Sequence, residues 1–241
     1  EFAIREFLIR YEKETLGVMK KWAKSKNEHK RRLASEGCRP RLPWGVALGS
    51  FIKDPTPILA ILESLKEDTS PYVRKSVANN LNDISKNHPK IVKNLSKKWL
   101  KENPSSESLL KHGCRTLLKN ADKETLEIFG INERKTLQLK NMDYTKELKK
   151  GETLAFSFSL KDEKALGVLR VEFALYLLRK NASRNKKVFH IAQKEYQTQE
   201  MDFSKTYSFK EITTRVYYSG EQELGIIVNG KELTRVAFKL L

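Results

Sequence analysis

The sequence has 241 residues, with 47 Lys+Arg against 30 Asp+Glu and a formal net charge of +17. That length supplies one large or two ordinary domains, each with its own core. No apolar run reaches 18 residues, which excludes a transmembrane helix. Residues 1–130 carry 26 basic and 16 acidic side chains, net +10, which leaves 21 and 14, net +7, for the remainder. A partner touching both halves is therefore an extended polyanion: DNA, RNA or an anionic membrane surface.

The chain opens at Glu1 rather than Met, so its start says nothing of targeting. The two cysteines, Cys38 and Cys114, stand far apart and outside any Cys-x-x-Cys pair. Reduced thiols in a cytoplasmic protein fit this usage better than a disulfide framework. His29, His88, His112 and His190 are scattered, without the spacing of a zinc site.

Residues 1 to about 130 have helical periodicity. "AIREFL" with Arg5 opens the chain. "PILAILESLKE" then sets Ile58, Leu59, Ile61, Leu62 and Leu65 in one stripe, and "KIVKNLSKKWLKE" repeats the pattern with Ile91, Val92, Leu95, Trp99 and Leu100. "KDPTP", "EDTSP" and "NHP" mark helix starts. Short helices in antiparallel pairs follow. The second helix of each pair opens on a basic signature: "HKRRLASE", "YVRKSVANN" and "HGCRTLLKN". Arg31, Arg74 and Arg115 recur at 43 and 41 residues by subtraction, the period of HEAT and armadillo repeats. Second helices line the concave face of such solenoids. One arginine per repeat there would lay a row of cations along a phosphate backbone. The alternative is that each arginine packs a helix against a neighbouring turn.

Beyond residue 132 the period becomes two. Strands are expected at 135–140, 153–160, 166–178, 187–198, 204–210, 213–218, 222–228 and 231–240. Asn229-Gly230 between two strand patterns specifies a type I′ hairpin. Seven or eight strands in this length fit an immunoglobulin-type β-sandwich. The fold class is therefore α + β in two domains: a HEAT-like helical solenoid over 1–131 and an all-β sandwich over 132–241. Between two strands, "RKNASRNKK" (179–187) reads as a basic loop tip, with Arg184, Lys186 and Lys187 able to reach phosphates or a minor groove.

"EHKRRLASEGCRPRLPWGVAL" followed by "YVRKSVANNLNDISKNHP", with "EFAIREFL" and "HGCRTLLK", resembles the AlkC type of bacterial DNA alkylation-repair glycosylases, relatives of the AlkD proteins. The later half, "NKKVFHI" above all, resembles the immunoglobulin-like extension of some AlkC proteins. The resemblance implies a HEAT-like solenoid, excision of N-methylated bases from duplex DNA, and no metal or organic cofactor. It also implies a further helical region of about a hundred residues before "EFAIR", so the helical domain is expected to be N-terminally incomplete.

Hydrolysis of an N-glycosidic bond builds positive charge on the sugar, which carboxylates near C1′ stabilise while orienting water. A base alkylated on a ring nitrogen is already cationic and leaves with little acid help. An aromatic face attracts either cation. By resemblance, Glu36, Asp83, Trp44 and Glu1 are the expected catalytic residues, with Glu36 and Asp83 foremost and Trp44 as an aromatic wall. In "GCRPRLPWG", Pro40 and Pro43 stiffen a loop whose Arg39 and Arg41 suit a phosphate clamp, or else pair with nearby carboxylates. Arg5, Arg31, Arg32, Arg74, Lys75 and Arg115 are expected backbone contacts that carry affinity rather than sequence preference. Two other functions are compatible with the composition: a DNA clamp without catalysis, and a HEAT-type scaffold for acidic proteins.

Overall fold

A computed structural model describes residues 1–210 and 216–241. The chain forms two compact units, Glu1–Phe129 and Gly130–Leu241. No helix among the described residues is long and apolar enough to cross a membrane.

The first unit is a stack of helices: α1 (Ala3–Arg10), α2 (Glu12–Trp22), α3 (Glu28–Glu36), α4 (Gly49–Lys53), α5 (Thr56–Leu65), α6 (Pro71–Ser85), α7 (Pro89–Glu102), α8 (Glu107–Gly113), α9 (Arg115–Lys119) and α10 (Lys123–Ile128). The starts are set locally. Asn27 caps α3 by accepting from the His29 and Lys30 amides, and Asp122 caps α10 through the Thr125 amide. Proline opens α6 and α7, where no backbone donor is needed. Pairs α2/α3, α5/α6 and α7/α8 are the repeats.

From Ser76 to Ser85 helix α6 is enclosed on almost every side. Val73, Val77, Ala78, Leu81 and Ile84 fill the core, while Ser76, Asn80, Asn82, Asp83 and Ser85 are buried as well. Such polar residues weaken a helix interior unless something satisfies them. Asn80 donates to Ser35 O at 2.9 Å, and Asn82 Oδ1 accepts from Thr116 N and Oγ1 at 3.2 and 2.9 Å. The asparagine cluster thus ties α6 to the repeats on either side. The third second-helix is not continuous: it breaks at Cys114, which puts Arg115 at the first turn of α9.

The second unit is a sandwich. Strands β1 (Gln138–Tyr144), β3 (Thr153–Lys161) and β6 (Glu200–Ser208) form one sheet in the order β1-β3-β6. Strands β2 (Glu147–Leu148), β8 (Lys231–Leu240), β7 (Gly220–Val228), β4 (Gly167–Leu178) and β5 (Arg184–Tyr196) form the other, in that order. All pairs are antiparallel except β2 with β8. Aromatic rings join the two inner faces; Phe156 and Phe173 meet edge-on, centroids 5.1 Å apart. Val228 pairs with Lys231 across Asn229-Gly230, whose φ values of 48° and 82° are those of a type I′ turn.

Of the strand expected at 213–218, residues 213–215 lie outside the described residues, and 216–218 are not in a strand. The basic tip is also corrected. Residues 179–183 close a tight turn through Arg179 N to Ser183 O at 2.8 Å, with Ala182 at φ 61°, so Arg184, Lys186 and Lys187 belong to β5.

Candidate active site

Glu36 ends α3 and Asp83 lies in the last turn of α6, and the two come together through one side chain. The Arg39 guanidinium donates from Nη1 to Glu36 Oε1 at 2.6 Å and from Nε to Asp83 Oδ2 at 2.9 Å. Ser76 Oγ donates to Glu36 Oε2 at 2.7 Å, and Lys86 Nζ donates to Asp83 Oδ1 at 3.1 Å. On the far side of Glu36, Arg32 lies 3.7 Å from its Oε1 and 3.3 Å from Glu1 Oε2. The arginine stacks on Tyr72, 4.6 Å from the ring centroid. Charges therefore alternate along a chain: Glu1, Arg32, Glu36, Arg39, Asp83, Lys86. Glu36, Arg39 and Asp83 are only 5, 6 and 2% exposed. Burial works against the Arg39 charge, but Asp83 and then Glu36 outweigh it and raise its pKa.

The loop after α3 carries Arg39 into this cluster and Trp44 out of the protein. Trp44 is 98% exposed, at φ 64°. An aromatic residue in the left-handed region costs about 1–3 kcal/mol and persists only where its surroundings impose it. Those surroundings include Arg5, which donates to Val46 O at 2.5 Å, Gly37 O at 3.2 Å and Arg39 O at 2.9 Å. A Cβ on Gly45 would stand 3.2 Å from Arg5 Cδ and from Leu42 Cδ2.

Several expected phosphate contacts have other employment. Arg5, 1% exposed, is spent on three carbonyls and has no surface to offer. Arg39 is buried between two carboxylates, the alternative that the sequence left open. Arg31 donates to Ser25 O and Lys26 O, 2.9 and 3.0 Å, and grips Asp68 at 2.6 and 2.9 Å. Arg74 donates to Asp68 O and Thr69 O, 2.5 and 3.0 Å. Each arginine thus satisfies the carbonyls six and five residues before it, which explains their recurrence: they staple the turn between paired helices. Arg115, half-buried, donates to His112 O at 2.8 Å instead. Arg184 pairs with Glu221 and Glu223 (2.9 and 3.6 Å), and Lys186 pairs with Glu232 (3.7 Å) over the Tyr176 ring. Arg41 remains at the surface, 3.0 Å from Asn87 Oδ1, and Lys75 is exposed. Lys187 is half-buried on β5.

Ser76 and Lys86 were not anticipated. The signal was present: residues 76, 83 and 86 stand seven and three positions apart, on one face of a helix. Among the described residues no group of His, Cys, Asp or Glu is disposed to hold a metal ion. Burial pushes the Cys38 thiol up to about 12, which leaves no thiolate for nucleophilic work.

The plan of a helical-repeat unit followed by a sandwich is matched in two parts: the family described as "DNA alkylation repair enzyme" matches residues 2–117, and the C-terminal Ig-like domain of YhaZ matches 138–241. YhaZ of Bacillus subtilis (strain 168) is 40% identical over 242 residues, which span all of this chain and 68% of YhaZ. The solved structure of Pseudomonas fluorescens alkylpurine DNA glycosylase AlkC, bound to DNA containing an abasic site analog, is similar over the whole chain and 68% of its own length. Its TM-score is 0.94 and its identity 35%. The chain belongs to the AlkC type of DNA alkylation repair enzymes.

Proposed function

We propose that the protein is a monofunctional glycosylase that removes cationic N-alkylated bases, 3-methyladenine first and 3-methylcytosine second, from duplex DNA. The observation that carries this reading is the pair Glu36 and Asp83, brought from consecutive repeats to one guanidinium, on a loop that also bears the exposed Trp44. In the reaction the C1′–N bond breaks and its electron pair neutralises the departing base. Water adds to C1′, its proton passes to a carboxylate, and an abasic site remains. Asp83 and Glu36 oppose the sugar cation, and Trp44 offers a π-face to the lesion nucleotide, worth about 0.5–2 kcal/mol. A carboxylate accepts about four hydrogen bonds, so Arg39 orients Asp83 without saturating it. Lys86, exposed and on a flexible stem, is the partner that a DNA phosphate draws away. Both cysteines are free, which supports a reducing, cytoplasmic setting.

The test is release of free methylated purine from alkylated DNA in EDTA. Asp83→Asn keeps the shape and removes the charge. Its single-turnover rate is expected to fall about 100- to 1,000-fold, or ~2.7–4 kcal/mol of barrier, while DNA binding survives. Full activity in a folded Asp83→Asn removes Asp83 from the mechanism, and activity lost on chelation overturns the metal-free reaction.

A further inference from the structure

A groove of about 520 Å³ lies between the first half of α6 and α8, with Arg74, Lys75, Ser105, Ser108 and His112 among its walls. Its charges are unbalanced. Of its two acids, Asp68 is gripped by Arg31, and Glu67 stands on the rim. Among the described residues no carboxylate forms an ion pair with Arg74, Lys75, His112 or Arg115, while the Lys111 of α8 is answered by its own Glu107. Lys66, the remaining lining cation, is already paired with Glu63 and Glu102. Arg74 is spent on the Asp68 and Thr69 carbonyls and faces the Asp68 charge, which leaves Lys75 and His112, with the Ser105 and Ser108 hydroxyls, as the chemistry of an oxyanion site around an open groove.

His112 is the adjustable member. Its Nε2 meets Asn79 Oδ1 at 3.0 Å. That oxygen only accepts, so Nε2 carries the hydrogen and the neutral ring presents a lone pair on Nδ1. Burial, then Arg115 and Lys75, hold its pKa below the ordinary value, so the ring is neutral near pH 7. Asp83 acts on Arg115 in the opposite sense, favouring its charge. A phosphate reverses the balance: its charge favours the imidazolium, whose Nδ1 becomes a second donor.

We propose that this groove holds a backbone phosphate of bound DNA and that His112 joins the contact only as the imidazolium, so that the contact is gained as the pH falls. The proposal rests on the glycosylase reading for its ligand and adds a subsite to it. Lys75 precedes Asp83 by eight residues of α6, ~12 Å at 1.5 Å per residue.

The experiment is equilibrium binding of the whole chain to an undamaged duplex, over a salt series at pH 5.5 and at pH 7.5. One more phosphate contact steepens the log–log salt slope by about 0.9, so the wild type is expected to be steeper by that amount at pH 5.5. His112→Gln should show the shallower slope at both pH values. Lys75→Gln, a surface change, should lose about 0.9 at both and keep the difference between them. Equal wild-type slopes, with duplex binding intact, overturn the proposal and leave the glycosylase reading standing. So does a pH difference that survives His112→Gln. If His112→Gln does not fold, a Lys75→Gln slope equal to that of the wild type is the overturning result. Failure to bind duplex at either pH overturns both readings.

Discussion

Arg39 is the residue on which the two carboxylates depend. Replacing it with Gln leaves Glu36 and Asp83 buried beside one another with no cation between them, and breaking a buried pair this way costs about 3–5 kcal/mol. We expect Arg39→Gln to lower stability by that amount in denaturant melts and to reduce excision. Arg39→Lys should restore part of the stability and little of the rate, because an ammonium is a point charge and does not bridge two carboxylates as a planar fork does. A rate for Arg39→Lys equal to that of the wild type would show that the bridge is structural only. This residue also shows what the sequence conceals. Glu36, Asp83 and Trp44 were nominated by resemblance, and the chain brings the first two to one point. Arg5 was read as a backbone contact, and Arg39 stayed open between a phosphate and a carboxylate, because a sequence displays charge but not burial. Arg31 and Arg74 recur for a reason the repeat itself contains, the bare carbonyls of a tight turn, and periodicity does not distinguish that from a row of phosphate contacts.

At the scale of elements, the loop after α3 is positioned by α1. Three carbonyls spread over ten residues of chain converge on Arg5, so Arg5 fixes the path that leaves Trp44 at φ 64° and in solvent. We expect Arg5→Met to reduce excision through Trp44. In a double-mutant cycle with Trp44→Ala, the saturated single-turnover rate of the double variant should then equal that of Trp44→Ala alone. Additive losses would separate the two residues. The helices were legible from apolar spacing and from the proline-bearing segments before them, and the Asn229-Gly230 hairpin from its dipeptide. The start of β5 was not, because Arg184 and Lys186 look like a solvated tip until Glu221, Glu223 and Glu232 of β7 and β8 are set beside them.

Over the whole molecule the two units share a positive charge and differ in what they do with it. The helical unit holds the Glu36–Asp83 cluster, and the sandwich has its own core. Truncation after Phe129 is expected to weaken DNA binding and leave the single-turnover rate at saturating enzyme near that of the whole chain. A large fall in that saturated rate would assign the sandwich a role in the chemistry. The arginine staple has one further consequence. It joins the turns of the first two repeats and is absent from the third, where Arg115 reaches only His112 O. Helices α8, α9 and α10 have 7, 5 and 6 residues, too short to hold without packing. The stack therefore opens from that end: amide hydrogens of α8 to α10 exchange with solvent sooner than those of α6, and the carboxylate cluster rides on the segment that is last to let go.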